Sequence, residues 1–170
     1  MAYMSQENKK ALAPQIKAVL KKYNMKGTIG VRHYSTLVVN VKSGALDIIG
    51  NMMENIPVDH FYTENAVTPT SIQVNTYHIG SSYTGKVADF LTELKDAMMS
   101  TEDGSVANHD NSDIMTDYFD VGWYIDINVG KYDKPYELTG KVVKLNVKKA
   151  DTPKVEVDLW AEHLETHGSF

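Results

Sequence analysis

The sequence predicts an α+β fold: a mostly antiparallel sheet with helices packed on one face. Two observations carry this. Segments 5–23 and 84–99 repeat apolar residues at helical spacing, whereas 36–42 and 121–129 alternate apolar and polar residues at strand spacing. The strand at 121–129 has one apolar face (Val121, Trp123, Ile125, Ile127, Val129) and one mixed face (Gly122, Tyr124, Asp126, Asn128). A sheet with one buried and one wet face suits antiparallel pairing with helices on one side.

In chain order, Ser5–Tyr23 is the first expected helix, with Leu12, Ile16, Val19, Leu20 and Tyr23 as its apolar stripe and Ser5 as its cap. Pro14 inside it costs about 3 kcal/mol in a helix interior, so the segment either kinks there or starts near Ala13. Asn24 and Gly27 are expected to stop it. Thr28–His33 and Thr36–Lys42 read as two strands joined at Tyr34-Ser35. Ala45–Ile56 has a helical face (Leu46, Ile49, Met52, Met53) interrupted by Gly50 and closed by Pro57. His60–Pro69 is expected as loop and Ser71–Ile79 as a strand. Thr84–Met99 is expected as a helix capped by Thr84, with Val87, Phe90, Leu91, Leu94 and Met98 facing inward. Thr101–Ser112 reads as a surface loop, and Ile114–Phe119 as one helical turn capped by Asp113 or Ser112. Val142–Val147 reads as a strand, and Val155–Leu164 as a strand, a helix or one after the other. The 170 residues fit one core domain over 1–136 and an extension, 137–170, packed on or flanking it.

Charge is unevenly placed. Residues 1–44 hold eight bases (Lys9, Lys10, Lys17, Lys21, Lys22, Lys26, Arg32, Lys42) against Glu7 alone, while the rest hold nine bases against 21 acids. No Lys or Arg lies between Lys95 and Lys131, a stretch with eight acids. Such polarity steers and orients partners. The chain has no cysteine, which excludes disulfides, thiolate metal sites and a Cys nucleophile. Its first residues lack a signal-peptide apolar stretch, and no apolar run reaches membrane-helix length, so a soluble intracellular protein is expected.

No strong catalytic motif stands in the chain, which points away from an enzyme more than toward one, and no cofactor is implied. Gly27-Thr28-Ile29-Gly30 is a glycine pair better read as a helix stop and a packed strand than as a phosphate loop. Asp110, Asn111 and Asp113, followed by Asp117, Asp120 and Asp126, offer hard oxygen ligands but not calcium-loop spacing; the competing reading is a capped turn with solvated aspartates. His33 with Ser35, and His163 with His167, are pairs too small to define a site. Lys10, Lys17 and Lys21, with Arg32 and Lys42, form a basic set suited to phosphates or to the acidic half of this or a neighbouring chain. One arginine in the chain argues against base-specific readout. Tyr118, Phe119, Trp123, Tyr124, Tyr132 and Tyr136 cluster within 19 residues, as core or as binding surface.

The run Asn8-Lys9-Lys10-Ala11-Leu12-Ala13-Pro14 to Tyr23, then Lys26-Gly27-Thr28, Thr36 to Gly44, Asp110 to Asp113 and Tyr118 to Lys131 resembles a phage and mobile-element family. This is the α+β domain associated with large polyvalent proteins, which also occurs alone as a short phage protein. The resemblance covers 5–136. It implies an accessory protein acting in the host cytoplasm, since polyvalent proteins enter new cells with DNA and blunt host responses; it brings no active site.

The expectation is therefore a non-enzymatic phage accessory protein that inhibits or modulates a host or defence protein through Asp110, Asp113, Asp117, Asp120, Tyr124 and Asp126. The alternatives are a nucleic-acid-binding module using Lys10, Lys17, Lys21, Arg32 and Lys42, and a small hydrolase or nuclease with a metal on Asp110, Asp113 and Asp117. Membrane association is not expected. Oligomeric state is open, a homodimer by head-to-tail charge pairing included.

Overall fold

The computed structural model describes residues 1–56 and 68–139. The expectations for His60–Val67, for Val142–Val147 and for 155–164 fall outside these residues.

Helix α1 runs unbroken over Gln6–Lys22, so the helix does not start at Ala13. The Ser5 hydroxyl accepts from Asn8 N at 3.0 Å, satisfying an otherwise orphan amide. Pro14 is tolerated because it lies on the exposed side, where water can reach the carbonyl it leaves unbonded. The stop is Asn24 alone, at φ 54°. Gly27 instead lies inside strand β1 (Met25–Arg32), next to a bulge at Lys26/Gly27. A Cβ there would stand 2.7 Å from the Asn40 carbonyl oxygen, so the strand needs glycine for its backbone to approach β2.

Strand β2 (Thr36–Gly44) pairs antiparallel with β1. The turn between them has His33 and Tyr34 both at positive φ, the geometry that matches strand twist in tight hairpins. Asp47 caps α2 (Ile48–Asn55) by accepting from Gly50 N at 2.9 Å. A side chain at position 50 would strike that same carboxylate, which explains the glycine in this helix.

Strand β3 (Ile72–Val74) is shorter than the expected 71–79. Asn75 ends it: its side-chain oxygen accepts from Tyr77 N at 3.1 Å and turns the chain into the short helix α3 (Ile79–Ser82). Helix α4 (Gly85–Met99) follows. Thr84 stands at its cap position, but its hydroxyl accepts from Asn51 and Asn55 of α2 rather than capping. The turn expected over Ile114–Phe119 is a shorter 3₁₀ turn, Ile114–Thr116, and of its two expected caps Asp113 serves, accepting from Met115 N at 2.9 Å. Strands β4 (Tyr124–Val129) and β5 (Glu137–Leu138) complete the sheet.

The fold is α+β, with a mixed, mostly antiparallel sheet in the order β1-β2-β4-β3 and β5 beside β2. The pairing of β2 with β4 is parallel, Thr36–Val41 against Tyr124–Val129. Leu37, Val39, Val41, Ile127 and Val129 form the buried face beneath Leu12, Ile16 and Leu20 of α1 and Phe90, Leu91, Leu94 and Met98 of α4. Thr28, Arg32, Gln73 and Tyr124 on the opposite face are exposed. Burying each large apolar side chain stabilises by about 1.5–3 kcal/mol. Lys22 Nζ meets Glu93 at 2.8 Å and Tyr23 OH donates to the same carboxylate, tying the exposed rims of the two helices.

Phe90→Ala should lower the unfolding free energy by about 3–5 kcal/mol, because Phe90 has no exposed surface and sits between the helices and the sheet. Ser5→Ala should cost only about 1 kcal/mol. Urea unfolding measures both, and a smaller loss for Phe90→Ala than for Ser5→Ala would contradict this packing.

Candidate functional site

Residues 109–122 leave the body as a narrow antiparallel arm. Asp110 pairs with Val121 and Asp113 with Tyr118. Backbone bonds rung it along its length: Gly122 N to His109 O at 2.9 Å, Asn111 N to Asp120 O at 2.8 Å, and Asp113 N to Tyr118 O at 2.7 Å.

The base is anchored by Asn108. Its amide donates to Trp123 O at 2.8 Å and its carbonyl oxygen accepts from Trp123 N at 2.9 Å, a side chain acting as a strand partner. Trp123 is buried, and its indole N–H donates to Met98 O at 3.1 Å. Gly122 must lack a Cβ, which would come within 2.6 Å of Asn108 Oδ1.

The aspartates mostly hold the arm's own shape. Asp110 accepts from Ser112 N at 3.1 Å, and its carboxyl is held below the ordinary range by the Ser112 hydroxyl and amide. Asp120 accepts from Asn111 at 3.3 Å and faces His109 Nε2 at 3.3 Å; these two partners, Asn111 first, lower its pKa. Asp117 ends the 3₁₀ turn at φ 53°. Ser112 Oγ also accepts from Asp120 N, tying the two strands of the arm.

These turns aim four large apolar side chains outward. Ile114 is 82% exposed, Met115 93%, Tyr118 58% and Phe119 66%. Four such side chains within six residues make an apolar tip on a tightly bonded scaffold, the feature most like a binding surface. Exposed Tyr124 and Tyr34 lie at the same end of the sheet, where Tyr124 N donates to Ser35 O and Tyr3 N to Gly122 O.

The structure thus brings Asp110, Asp113, Asp117 and Asp120 together on one arm, with Tyr124 just beyond its base. Asp126 is apart from them. It lies on the open sheet face, paired with Arg32 and accepting from Gln73 Nε2 at 3.2 Å. Two residues expected in opposite partner surfaces therefore neutralise each other. Lys10, Lys17 and Lys21 are exposed along α1, and Lys42 at the end of β2. Asp110, Asp113 and Asp117 do not converge: among the described residues no three His, Asp or Glu side chains are grouped to hold a metal. Ser35 Oγ has Thr36 Oγ1 as its neighbour at 3.5 Å, not His33. Sequence reasoning missed Ile114 and Met115 as surface; the available signal was apolar residues inside an aspartate-rich loop.

No protein-family model, no curated protein and no solved structure matches the chain. No helix among the described residues is long and apolar enough to cross a membrane.

Because Asp110 and Asp120 have lowered pKa values in the folded arm, their stabilisation is in place above the ordinary aspartate value of 3.8 and is lost as pH falls through the folded values. Carboxyl carbon NMR should give a midpoint for Asp110 below 3.8, and Ser112→Ala should raise it toward 3.8. An Asp110 midpoint unmoved by Ser112→Ala would contradict this hydrogen bonding.

Proposed function

We propose that the protein is a non-enzymatic binder that docks on another protein through the 109–122 arm. The carrying observation is the exposed apolar tip of Ile114, Met115, Tyr118 and Phe119 on a backbone already ordered by its own hydrogen bonds. Pre-ordering lowers the entropy lost on docking, and a few apolar and aromatic anchors supply most of the affinity of an interface. The aspartates around the tip, with no Lys or Arg between Lys95 and Lys131, favour a partner with an apolar cleft rimmed by Lys or Arg.

The resemblance to the polyvalent-protein α+β family supports a biological setting for this binding. In that setting the chain is a phage accessory protein in the host cytoplasm, and its partner is a host or defence protein that it inhibits or modulates.

The test is capture from nuclease-treated lysate of the bacterial host, comparing the wild type with an Ile114→Ser, Met115→Ser, Phe119→Ser variant. A stoichiometric protein should be held by the wild type and lost about tenfold or more by the variant, whose melting temperature should be unchanged because the three side chains are already exposed. Equal capture by both proteins would sink the reading.

A further inference from the structure

The end of the sheet opposite the arm carries a different surface. Strands β2 and β4 run parallel, so their carboxyl ends lie side by side, at Lys42-Ser43 and at Gly130. A cleft of about 640 Å³ opens there. Four lysines line it: Lys26 from β1, Lys42 from β2, and Lys131 and Lys134 from the turn after β4. Asp133 and Glu137 also line it, leaving an excess of two positive charges among the described lining residues.

The turn that presents two of these lysines is built. Gly130, at φ 71°, has no room for a Cβ, which would lie 2.6 Å from Tyr136 N and 2.8 Å from Thr70 O. Lys131 N donates to Lys134 O at 2.8 Å, and Gly130 N to Val41 O at 2.8 Å. In the floor, Asn40 Oδ1 accepts from Asn128 Nδ2 at 3.2 Å, which commits its oxygen and leaves its amide hydrogens as donors.

A second, shallower depression of about 550 Å³ adjoins this cleft and shares Lys26. Lys17 and Lys21 of α1 line it. Six lysines from four segments of chain therefore line a track of two adjoining depressions that meet at Lys26. None of them makes an ion pair among the described residues.

We propose that this track binds the phosphodiester backbone of a nucleic acid, without sequence preference. An elongated series of ammonium groups, unpaired among the described residues, fits a ligand with regularly repeated negative charge better than one compact anion. Lysine is a point charge with no fork for reading base edges, and among the described residues no aromatic ring lines either depression to stack a base. Arg32 does not belong to the track: it pairs with Asp126 and lies at the other end of β1, beside the hairpin turn. The proposal is independent of the arm.

The probe is a fluorescein-labelled duplex of mixed sequence, read by anisotropy across a salt series. Wild type should bind at low salt, with log affinity falling by about 0.9 per log unit of salt for each phosphate neutralised. Replacing Lys26, Lys42, Lys131 and Lys134 by Gln should weaken binding more than tenfold and flatten the slope by about 3.6. Lys17→Gln with Lys21→Gln, on the exposed face of α1, should flatten it by about 1.8 and keeps the test open if the fourfold variant misfolds. Lys86→Gln, at an exposed position outside the track, should change nothing.

Absent binding at low salt, or slopes equal to wild type in both variants, would overturn the proposal. So would displacement of the duplex by equimolar inorganic tripolyphosphate, which would assign the cleft to a compact anion. Sedimentation of the protein alone adds a last arm: self-association abolished by the track variants would give the track to the acidic arm of a second copy and overturn the proposal.

Discussion

The parallel pairing of Thr36–Val41 with Tyr124–Val129 joins the N-terminal hairpin to a strand 88 residues further along. Parallel neighbours need a long crossover, and here that crossover holds α2, β3, α3, α4 and the arm. Its closure lines up Leu37, Val39 and Val41 with Ile125, Ile127 and Val129 as one apolar surface. A register slip of one residue would turn those side chains to the open face. Helices α1 and α4 pack on the floor that this pair completes.

The same pairing sets the polarity of the molecule. The arm enters β4 at its amino end, beside the hairpin turn at His33-Tyr34, and the lysine cleft lies at the carboxyl ends of both strands. Six paired residues at about 3.3 Å each hold the two surfaces roughly 17 Å apart. The sheet thus separates an acidic, apolar tip from a basic concavity. Opposite charges that would neutralise each other if close together are thereby held apart. Where they do meet, as at Arg32 and Asp126, they form part of the scaffold.

Local hydrogen bonding accounts for much of the acid that stands out in the sequence. Asp47 and Asp113 cap helical turns, Asp110 folds back on Ser112, and Asp120 is held by Asn111 and His109. Asp103 does the same in the preceding loop, where Thr101 first and then Ser105 bring its carboxyl down to about 2. These short side chains replace backbone partners in an arm that has no core of its own. Its order comes from polar bonds, which is why its apolar residues are left pointing outward.

The sequence by itself determined the α+β class, the two long helices, the hairpin and a capped turn near Asp113, because periodicity, caps and turn residues act over a few neighbouring positions. It misplaced Gly27, whose role is set by the Asn40 carbonyl across the sheet, and it overran β3, which an asparagine turn cut short. The site was half legible: the aspartates and the aromatic run were visible, the outward aim of Ile114 and Met115 was not. Tertiary structure alone decided that Arg32 and Asp126 meet 94 residues apart, and that Lys26 and Lys42 share a cleft with Lys131 and Lys134. Those neighbours are made by the register of β1, β2 and β4, a long-range choice that no local pattern of residues encodes.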